Sequence, residues 1–319
     1  MKKNKLITLL ILTFSLFAET SFARDLSSDT ENINNKLIPY QDTTHYEHIT
    51  SPKVVEGNKE QKKEDDPIIG SIRFLDLFEC KNMIYKRGIF IWLPENYSRD
   101  NGPYSVIYFH DAQNLFLPSK SFSGYDWKVD ETISRLMKEK KIKPCIVVGI
   151  PNSPARDNEL NTATYDGKVY SDFVIYEVMP FIKKRFPVSR HREDHIVAGS
   201  SMGGLMSFQM AYENPNRFGG AICMSSAFHR KLSNIFDIVK ENKKQPLNVK
   251  FYIDTGELEK DKEDGEDIYS LFLEMKKLME DKGFTEDNNL KCYMHKGAQH
   301  NEKAWAQRLD RALLFLLKK

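Results

Sequence analysis

The sequence has 319 residues, of which 40% are hydrophobic and 29% are charged, a composition typical of globular proteins. Its 47 basic and 45 acidic side chains leave a formal net charge of +2, and no stretch forms a basic patch with interleaved aromatic residues. The chain therefore gives no reason to expect a nucleic-acid partner, and its length suits one large domain with extensions.

The N-terminus has the pattern of a secretory signal peptide. A lysine-rich start precedes the apolar run Leu6–Phe17, and Ser21-Phe22-Ala23 forms a small-x-small cleavage site. We therefore predict that residues 1–23 are removed and that the protein is exported, to the periplasm or beyond it. An uncleaved anchor is the alternative, but the run is shorter than the roughly 20 residues that span a bilayer. No stable membrane insertion is expected after cleavage.

Residues 24–66 are predicted to form a flexible arm. They are mostly polar and end in the charge run Lys59–Asp66, so they bury too little apolar surface to offset the entropy of ordering. His45 and His48 lie three residues apart in this arm. Because no cysteine or further histidine is near them, a solvated loop is favoured over a metal site.

The remainder, residues 67–319, is predicted to form one α/β domain. Short β-rich runs occur at Ile72–Phe78, Ile89–Leu93, Tyr104–Phe109, Cys145–Ile150, His195–Ala198, Gly220–Met224, Val249–Ile253 and Leu290–Met294. Segments with helical period occur at Val129–Lys140, Tyr170–Phe186, Gly204–Tyr212, Ile268–Lys282 and Ala304–Leu317. A hairpin-like opening followed by this alternation predicts a mostly parallel central sheet with helices on both faces.

The four cysteines need an interpretation because export permits disulfides. Cys145, Cys223 and Cys292 lie in predicted strands, and Cys80 ends another candidate strand. Cysteines at such positions usually behave as small buried hydrophobic residues, whereas a disulfide framework would place them in loops. We therefore predict four free thiols.

A Gly-x-Ser-x-Gly motif lies between a predicted strand and a predicted helix, with Ser201 at its centre and Gly199 and Gly203 beside it. This strand–turn–helix context is typical of a nucleophile elbow, and a Cβ at either glycine is expected to collide with neighbouring backbone. The turn predicts that Ser201 is a nucleophile above the sheet and that the Met202 amide faces a developing oxyanion. The neighbouring Ser200 is the rival nucleophile, but it lacks the flanking glycine spacing. The alternative is a glycine-rich turn without chemistry.

A base is expected after the nucleophile, since elbow enzymes place serine, acid and histidine in that chain order. His295 falls in or at the end of the last predicted strand, and His229 is expected to line the cleft. His300 follows that strand in a loop beside the elbow, and we predict that it is the base.

The acid is expected in the loop after the penultimate predicted strand, Val249–Ile253. Residue spacing does not choose among the four carboxylates of that loop: Asp254, Glu257, Glu259 and Asp261. Solvated surface charge is the expected state of at least two of them.

Two further patterns are interpreted as structural. His191 and His195 lie four residues apart, but the stretch lacks the glutamate placement of a zinc-binding helix and continues into a strand, which favours a turn. A C-terminal apolar stripe has helical period and is typical of core packing rather than of a membrane or partner helix: Trp305, Leu309, Ala312, Leu313 and Leu316.

Six segments match, in chain order, those of a known enzyme family: Tyr108–Phe116, Trp127–Asp130, Val148–Asn152 with Arg156, Gly199–Gly204, Asp254–Glu259 and His300–Trp305. From about Ile89 to the C-terminus the chain resembles an esterase branch of the α/β-hydrolases. That branch includes esterase D (S-formylglutathione hydrolase), feruloyl and acetyl-xylan esterases, siderophore trilactone esterases and mycobacterial mycolyltransferases. The resemblance implies the α/β-hydrolase fold.

The resemblance also implies roles that spacing leaves open. It places the acid at Glu259, with Asp254 and Glu257 as fallbacks that are otherwise loop carboxylates open to water. It places the second oxyanion amide in the loop after Asp111, at Gln113, with Ala112 as the alternative; Ala112 replaces the glycine of many relatives.

Three residues are implied to face the substrate cleft: Trp127, Asn152 and Arg156. Two of them have a structural alternative. Trp127 is equally well interpreted as a packing residue, and Arg156 as the partner of a loop carboxylate.

Together these features predict a serine esterase that hydrolyses a carboxylic ester through an acyl-enzyme on Ser201, without a metal or an organic cofactor. The expected partner is a small-molecule or polysaccharide ester: a siderophore lactone, a polysaccharide-linked ester or a small acyl ester. Export disfavours S-formylglutathione, which is a cytosolic metabolite. Two alternatives stay open: an acyltransferase that uses the same triad, and a catalytically silent binding protein with the same fold.

Overall fold

The computed structural model describes residues 37–39, 65–78, 80–83, 85–243, 248–260 and 265–319. The predicted signal peptide, residues 1–23, and nearly all of the predicted arm, residues 24–66, lie outside these ranges, so both stay predictions. Within these ranges, none of the helices combines the length and the apolar character needed to cross a bilayer.

A mixed sheet organises the described residues. Its strands are β1 Leu37–Pro39, β2 Ser71–Phe78, β3 Arg87–Leu93, β4 Ser105–His110, β5 Cys145–Ile150, β6 His195–Ser200, β7 Gly220–Met224, β8 Lys250–Gly256 and β9 Leu290–His295. Their order is β1-β2-β3-β5-β4-β6-β7-β8-β9, antiparallel from β1 to β5 and parallel from β5 to β9. Strands β4 to β7 are buried along their whole length, as expected of parallel strands that are covered on both faces.

Helices cover both faces of this sheet. They are α1 Val129–Lys138, α2 Arg156–Glu159, α3 Tyr165–Phe173, α4 Met179–Arg185, α5 Met202–Glu213, α6 Ile235–Glu241, α7 Ile268–Asp281, α8 Glu302–Ala306 and α9 Leu309–Leu316. Alternate residues of β4 enter two separate apolar clusters, one with side chains of α4 and α5 and the other with side chains of α1 and α9. The predicted α/β architecture, a mostly parallel sheet between two layers of helices, is confirmed.

Five elements differ from the predicted pattern. The helix predicted over Tyr170–Phe186 begins earlier, at Tyr165, and a π-helical turn, Val174–Val178, divides it into α3 and α4. Strand β1 lies within the predicted arm and pairs antiparallel with β2. Helices α2 and α6 are four and seven residues long, too short to show a helical apolar period in the sequence. The single helix predicted over Ala304–Leu317 is two helices, α8 and α9, and the break falls at Arg308, whose side chain is fully buried.

The four cysteines are free thiols, as predicted. Cys80, Cys145 and Cys223 are buried, and Cys292 is half-buried in β9. Burial raises the pKa of the Cys145 thiol to about 12. This side chain is therefore neutral and packs as a small apolar group.

His195 opens β6, the strand that leads to Ser201, and is fully buried. The stretch before it is a 3₁₀ turn, Arg192–Asp194, as predicted. His195 Nε2 lies 2.8 Å from the Ser189 carbonyl oxygen, which can only accept, so Nε2 carries the proton and Nδ1 accepts from the Tyr108 hydroxyl at 3.3 Å. Burial lowers the pKa of His195 from 6.5 to about 4.

The buried ring of His195 predicts a loss of stability in acid. Between pH 7 and pH 5 the unfolded chain binds a proton that the folded protein does not, so this residue alone lowers the free energy of unfolding by about 2 kcal/mol. His195→Gln keeps a donor and an acceptor but does not titrate. Urea unfolding at both pH values measures this. Between pH 7 and pH 5 the free energy of unfolding should fall by about 2 kcal/mol less in the variant than in the wild type.

His191→Gln, at the exposed start of the same turn, controls for the loss of one histidine. A pH dependence of His195→Gln equal to that of the wild type would contradict the assignment.

Candidate active site

A strained turn between β6 and α5 holds Ser201. Its backbone angles, φ 54° and ψ −123°, lie in a region that residues other than glycine rarely adopt. Two backbone hydrogen bonds hold the turn: the Ser201 amide donates to the Met224 carbonyl at 2.9 Å, and the Ser201 carbonyl accepts from the Ala227 amide at 3.0 Å. Ser200, by contrast, ends β6 and is buried. The strain thus lies at the residue predicted to be the nucleophile.

The two glycines beside Ser201 differ in how tightly they are packed. A Cβ built at Gly199 would lie 2.6 Å from the Gly203 carbonyl carbon, so the predicted collision with backbone is confirmed there. A Cβ built at Gly203 would meet the Cβ of His110 at 3.3 Å. The predicted backbone collision at Gly203 is therefore wrong, because a side chain rather than a backbone faces that position.

Two helical segments begin side by side after the neighbouring parallel strands β4 and β6. Met202 is the first residue of α5, and Gln113 lies in the 3₁₀ turn Ala112–Asn114 that follows β4. Amides at the start of a helix have no acceptor within the helix, so these two can donate to an anion. The Gln113 side chain anchors its loop, because its Oε1 accepts from the Asn152 amide at 3.1 Å.

Asp111, which precedes that 3₁₀ turn, has a left-handed backbone with φ 54° and ψ 47°. Arg156 holds it through two hydrogen bonds of 2.8 Å, from Nε and Nη2 to the two carboxylate oxygens. Burial opposes the ionisation of Asp111, but Arg156 outweighs burial and lowers the pKa of this carboxyl. Arg156 therefore pairs with a loop carboxylate, which is the alternative considered for it.

Trp127 and Asn152 are the other two residues expected to face a substrate. Trp127 is 3% exposed, and its ring packs against Phe109 and Trp305 with centroids 5.7 and 5.5 Å apart. This position favours the packing alternative, since a ring enclosed in the core does not reach a ligand. Asn152 is half-buried, and its backbone N–H donates to Gln113 Oε1.

The loop after β9 places His300 against the loop after β8. His300 Nδ1 lies 3.0 Å from Glu259 Oε2, and the His300 ring packs edge-on against Trp305 with centroids 5.1 Å apart. The Glu259 side chain is 1% exposed, whereas that of His300 is 34% exposed. Burial alone would raise the pKa of Glu259, but hydrogen bonds from His300 and Ser225 and the charge of Arg308 outweigh burial and lower it. A buried, ionised carboxylate thus orients a ring that reaches solvent.

The other acid candidates are held elsewhere. Asp254 lies within β8 and is fully buried, and its Oδ2 accepts from Arg308 Nε at 2.8 Å. The expectation that Asp254 is a loop carboxylate open to water is therefore wrong, because β8 runs further than predicted. Glu257 Oε2 accepts from the Gly297 amide at 2.9 Å, and Asp261 lies outside the described residues.

Ser201 and His300 lie at the same edge of the sheet, but among the described residues no hydrogen bond joins Ser201 Oγ to the His300 ring. The end of β7 and the segment that follows it contact both the Ser201 turn and the loop that holds His300's partner, Glu259. Met224 and Ala227 hold the Ser201 backbone, and the Ser225 hydroxyl contacts the acid loop. Hydrogen bonds of this kind are often open in an unliganded enzyme and close when substrate binds.

Sequence reasoning misses two residues of the site, Ser225 and Arg308. Ser225 Oγ lies 2.7 Å from Glu259 Oε1, 2.9 Å from Trp305 Nε1 and 2.5 Å from Arg308 Nη2. Ser225 gives no signal in the sequence, because a serine after a strand is typical of any turn. Arg308 does give one, because it falls on the apolar stripe that begins at Trp305, where a charge must be buried and needs a partner.

The amino-acid sequence is similar to those of known proteins. The sequence profile of a family described as "Putative esterase" matches residues 81–316. The Bacillus subtilis protein "Uncharacterized protein YjcH" is 25% identical over 211 residues, which are 64% of this chain and 82% of that protein.

Solved structures share the fold. A ferulic acid esterase has a TM-score of 0.60 and 18% identity, covering 79% of this chain and 99% of that one. The siderophore hydrolase EstB from Aspergillus nidulans has a TM-score of 0.57 and 18% identity, covering 84% of this chain and 98% of that one. At such identities the likeness shows the fold alone, which is that of the α/β-hydrolases.

The packing around the elbow predicts that its two glycines differ in tolerance. Gly199→Ala should lower the free energy of unfolding by about 1–3 kcal/mol, the usual cost of an extra methyl group in a full site. Gly203→Ala is the matched control, and we expect a loss below about 1 kcal/mol because the His110 side chain can shift. Urea unfolding followed by circular dichroism measures both. A loss at Gly203 as large as that at Gly199 would contradict this packing.

Proposed function

Because the chain belongs to the "Putative esterase" family, we propose that it is a serine esterase that hydrolyses a carboxylic ester through an acyl-enzyme on Ser201. Family and fold support ester hydrolysis in general. The observation that supports the serine mechanism is the 3.0 Å contact between His300 Nδ1 and Glu259 Oε2 at the sheet edge that carries the strained Ser201.

The first half-reaction follows from the protonation of His300. An ionised Glu259 can only accept, so His300 Nδ1 carries the ring proton and Nε2 presents a lone pair. His300 Nε2 removes the proton from Ser201 Oγ as this oxygen bonds to the ester carbonyl carbon. The tetrahedral oxyanion accepts hydrogen bonds from the backbone N–H groups of Met202 and Gln113. The imidazolium then gives its proton to the leaving alkoxide as the ester C–O bond breaks.

The second half-reaction repeats these steps with water. His300 Nε2 takes a proton from water, the hydroxide oxygen bonds to the acyl carbon, and the Ser201 Oγ–acyl bond breaks with return of the proton to Ser201. Among the described residues no group of His, Cys, Asp or Glu is arranged to hold a metal ion. The two proposed half-reactions use this chain's own side chains and water.

We propose, from the signal-peptide pattern of residues 1–23, that the enzyme acts after export. The substrate classes that fit this address are siderophore lactones, polysaccharide-linked esters and small acyl esters.

Ser201→Ala is expected to abolish ester hydrolysis, leaving less than about a thousandth of the wild-type kcat, because it removes the oxygen proposed to form the acyl-enzyme. Hydrolysis of p-nitrophenyl acetate, with circular dichroism to verify folding, measures this. Ser200→Ala is the control, since Ser200 ends β6 and lies outside the strained turn. Retained activity in Ser201→Ala, or its loss in Ser200→Ala instead, would refute the nucleophile.

Glu259→Gln is expected to lower kcat by about 10²- to 10⁴-fold, because an amide can present its NH₂ to His300 Nδ1 and favour the wrong ring tautomer. Glu257→Gln is the matched control in the same loop, and its kcat should stay within about twofold of the wild type. Asp254→Asn is expected to act mainly on stability, because Asp254 pairs with the buried Arg308. A series in which Glu257→Gln costs more than Glu259→Gln would overturn the choice of acid.

A further inference from the structure

Ser225 is a fully buried serine between Glu259 and two side chains near the C-terminus, Trp305 in α8 and Arg308 between α8 and α9. We propose that Ser225 is a positioning residue: Trp305 and Arg308 turn its hydroxyl proton onto Glu259, and this contact fixes the ring tautomer of His300. The kinetic part of this inference rests on the proposed function. The structural part does not.

The direction of the hydroxyl proton follows from the chemistry of its three neighbours. A serine hydroxyl has one proton to donate and two lone pairs to accept with. Trp305 Nε1 and Arg308 Nη2, at 2.9 and 2.5 Å, are donors that cannot accept, so they occupy both lone pairs. The only direction left for the proton is Glu259 Oε1, at 2.7 Å.

This contact determines which oxygen of Glu259 meets the base. Oε1 accepts from the Ser225 hydroxyl at 2.7 Å and from the Gly256 amide at 2.8 Å, and Arg308 Nη2 lies 3.6 Å away. Oε2 is left to accept from His300 Nδ1. Two fixed donors on one oxygen hold the carboxylate plane, so the proton on His300 stays at Nδ1 and the lone pair stays at Nε2.

Ser225 itself is fixed by the strand beside it. Its backbone is left-handed, with φ 43°, and its amide donates to Asp254 at both the carbonyl oxygen, 3.0 Å, and Oδ1, 3.1 Å. The residue before it, Met224, accepts from the Ser201 amide. Met224 and Ser225 therefore hold the positions of Ser201 and Glu259, respectively, and a shift at Ser225 changes the distance between those two residues.

The test compares two neighbouring serines. Ser225→Ala removes the hydroxyl that contacts Glu259, whereas Ser226→Ala removes one that is equally buried but has no hydrogen-bond partner among the described residues. We expect Ser225→Ala to lower kcat for p-nitrophenyl acetate by about 10- to 100-fold, the value of a hydrogen bond to a charged group, with KM within about twofold. Ser226→Ala should match the wild type in both constants.

The second readout needs no activity. The ¹⁵N chemical shifts of the His300 ring nitrogens, assigned with His300→Gln, report which nitrogen carries the proton in the resting enzyme. We expect the Nδ1-protonated form in the wild type and in Ser226→Ala, and a mixture of tautomers in Ser225→Ala. If Ser225→Ala does not fold, Ser225→Gly makes the same deletion with a backbone that adopts φ 43° without strain.

The outcomes separate this inference from the proposed function. Full kcat in the Ser225 variant, an unchanged His300 tautomer, or an equal loss in Ser226→Ala overturns the positioning role while Ser201→Ala still tests the esterase. If the wild type hydrolyses no ester, or Ser201→Ala keeps activity, the proposed function fails, and the ¹⁵N comparison alone decides the role of Ser225.

Discussion

A buried ion pair joins the C-terminal helices to the sheet. Asp254 on β8 and Arg308 between α8 and α9 are both 0% exposed, with Nε and Oδ2 2.8 Å apart. Removing two charges from water costs several kcal/mol per ion, and only close geometry with further hydrogen bonds offsets that cost. Neither partner can move alone, since an unpaired buried charge destabilises a fold by about 3–5 kcal/mol. The positions of the surrounding side chains follow from this constraint.

The break between α8 and α9 is one consequence of the ion pair. A continuous helix would extend the apolar stripe, but the chain leaves helical geometry at Arg308, with φ −126° and ψ 0°, where the guanidinium reaches β8. The same break places Trp305 against the His300 ring on one side and the Ser225 hydroxyl on the other. Charge burial, helix geometry and the orientation of the His300 ring are thus parts of one arrangement.

The sequence predicts those features that depend on local context. The elbow at Ser201 is predictable because a strand, two glycines and a helix surround it, and His300 because it follows the last strand. Glu259 is reached only through family resemblance, since four carboxylates share its loop and spacing does not rank them. Ser225 is not predictable, because its role depends on donors that are distant in sequence. The burial of Asp254 is missed for a related reason: a polar strand end has the same composition as a loop.

The aromatic contacts of His300 also give the site an intrinsic fluorescent probe. The chain has three tryptophans, and two of them, Trp127 and Trp305, lie with ring centroids 5.5 Å apart, the second of them edge-on to His300. Indole emission responds to the polarity and charge of what touches the ring. The fluorescence of Trp305, beside the His300 imidazole, can therefore report on changes at His300 in the unmodified chain.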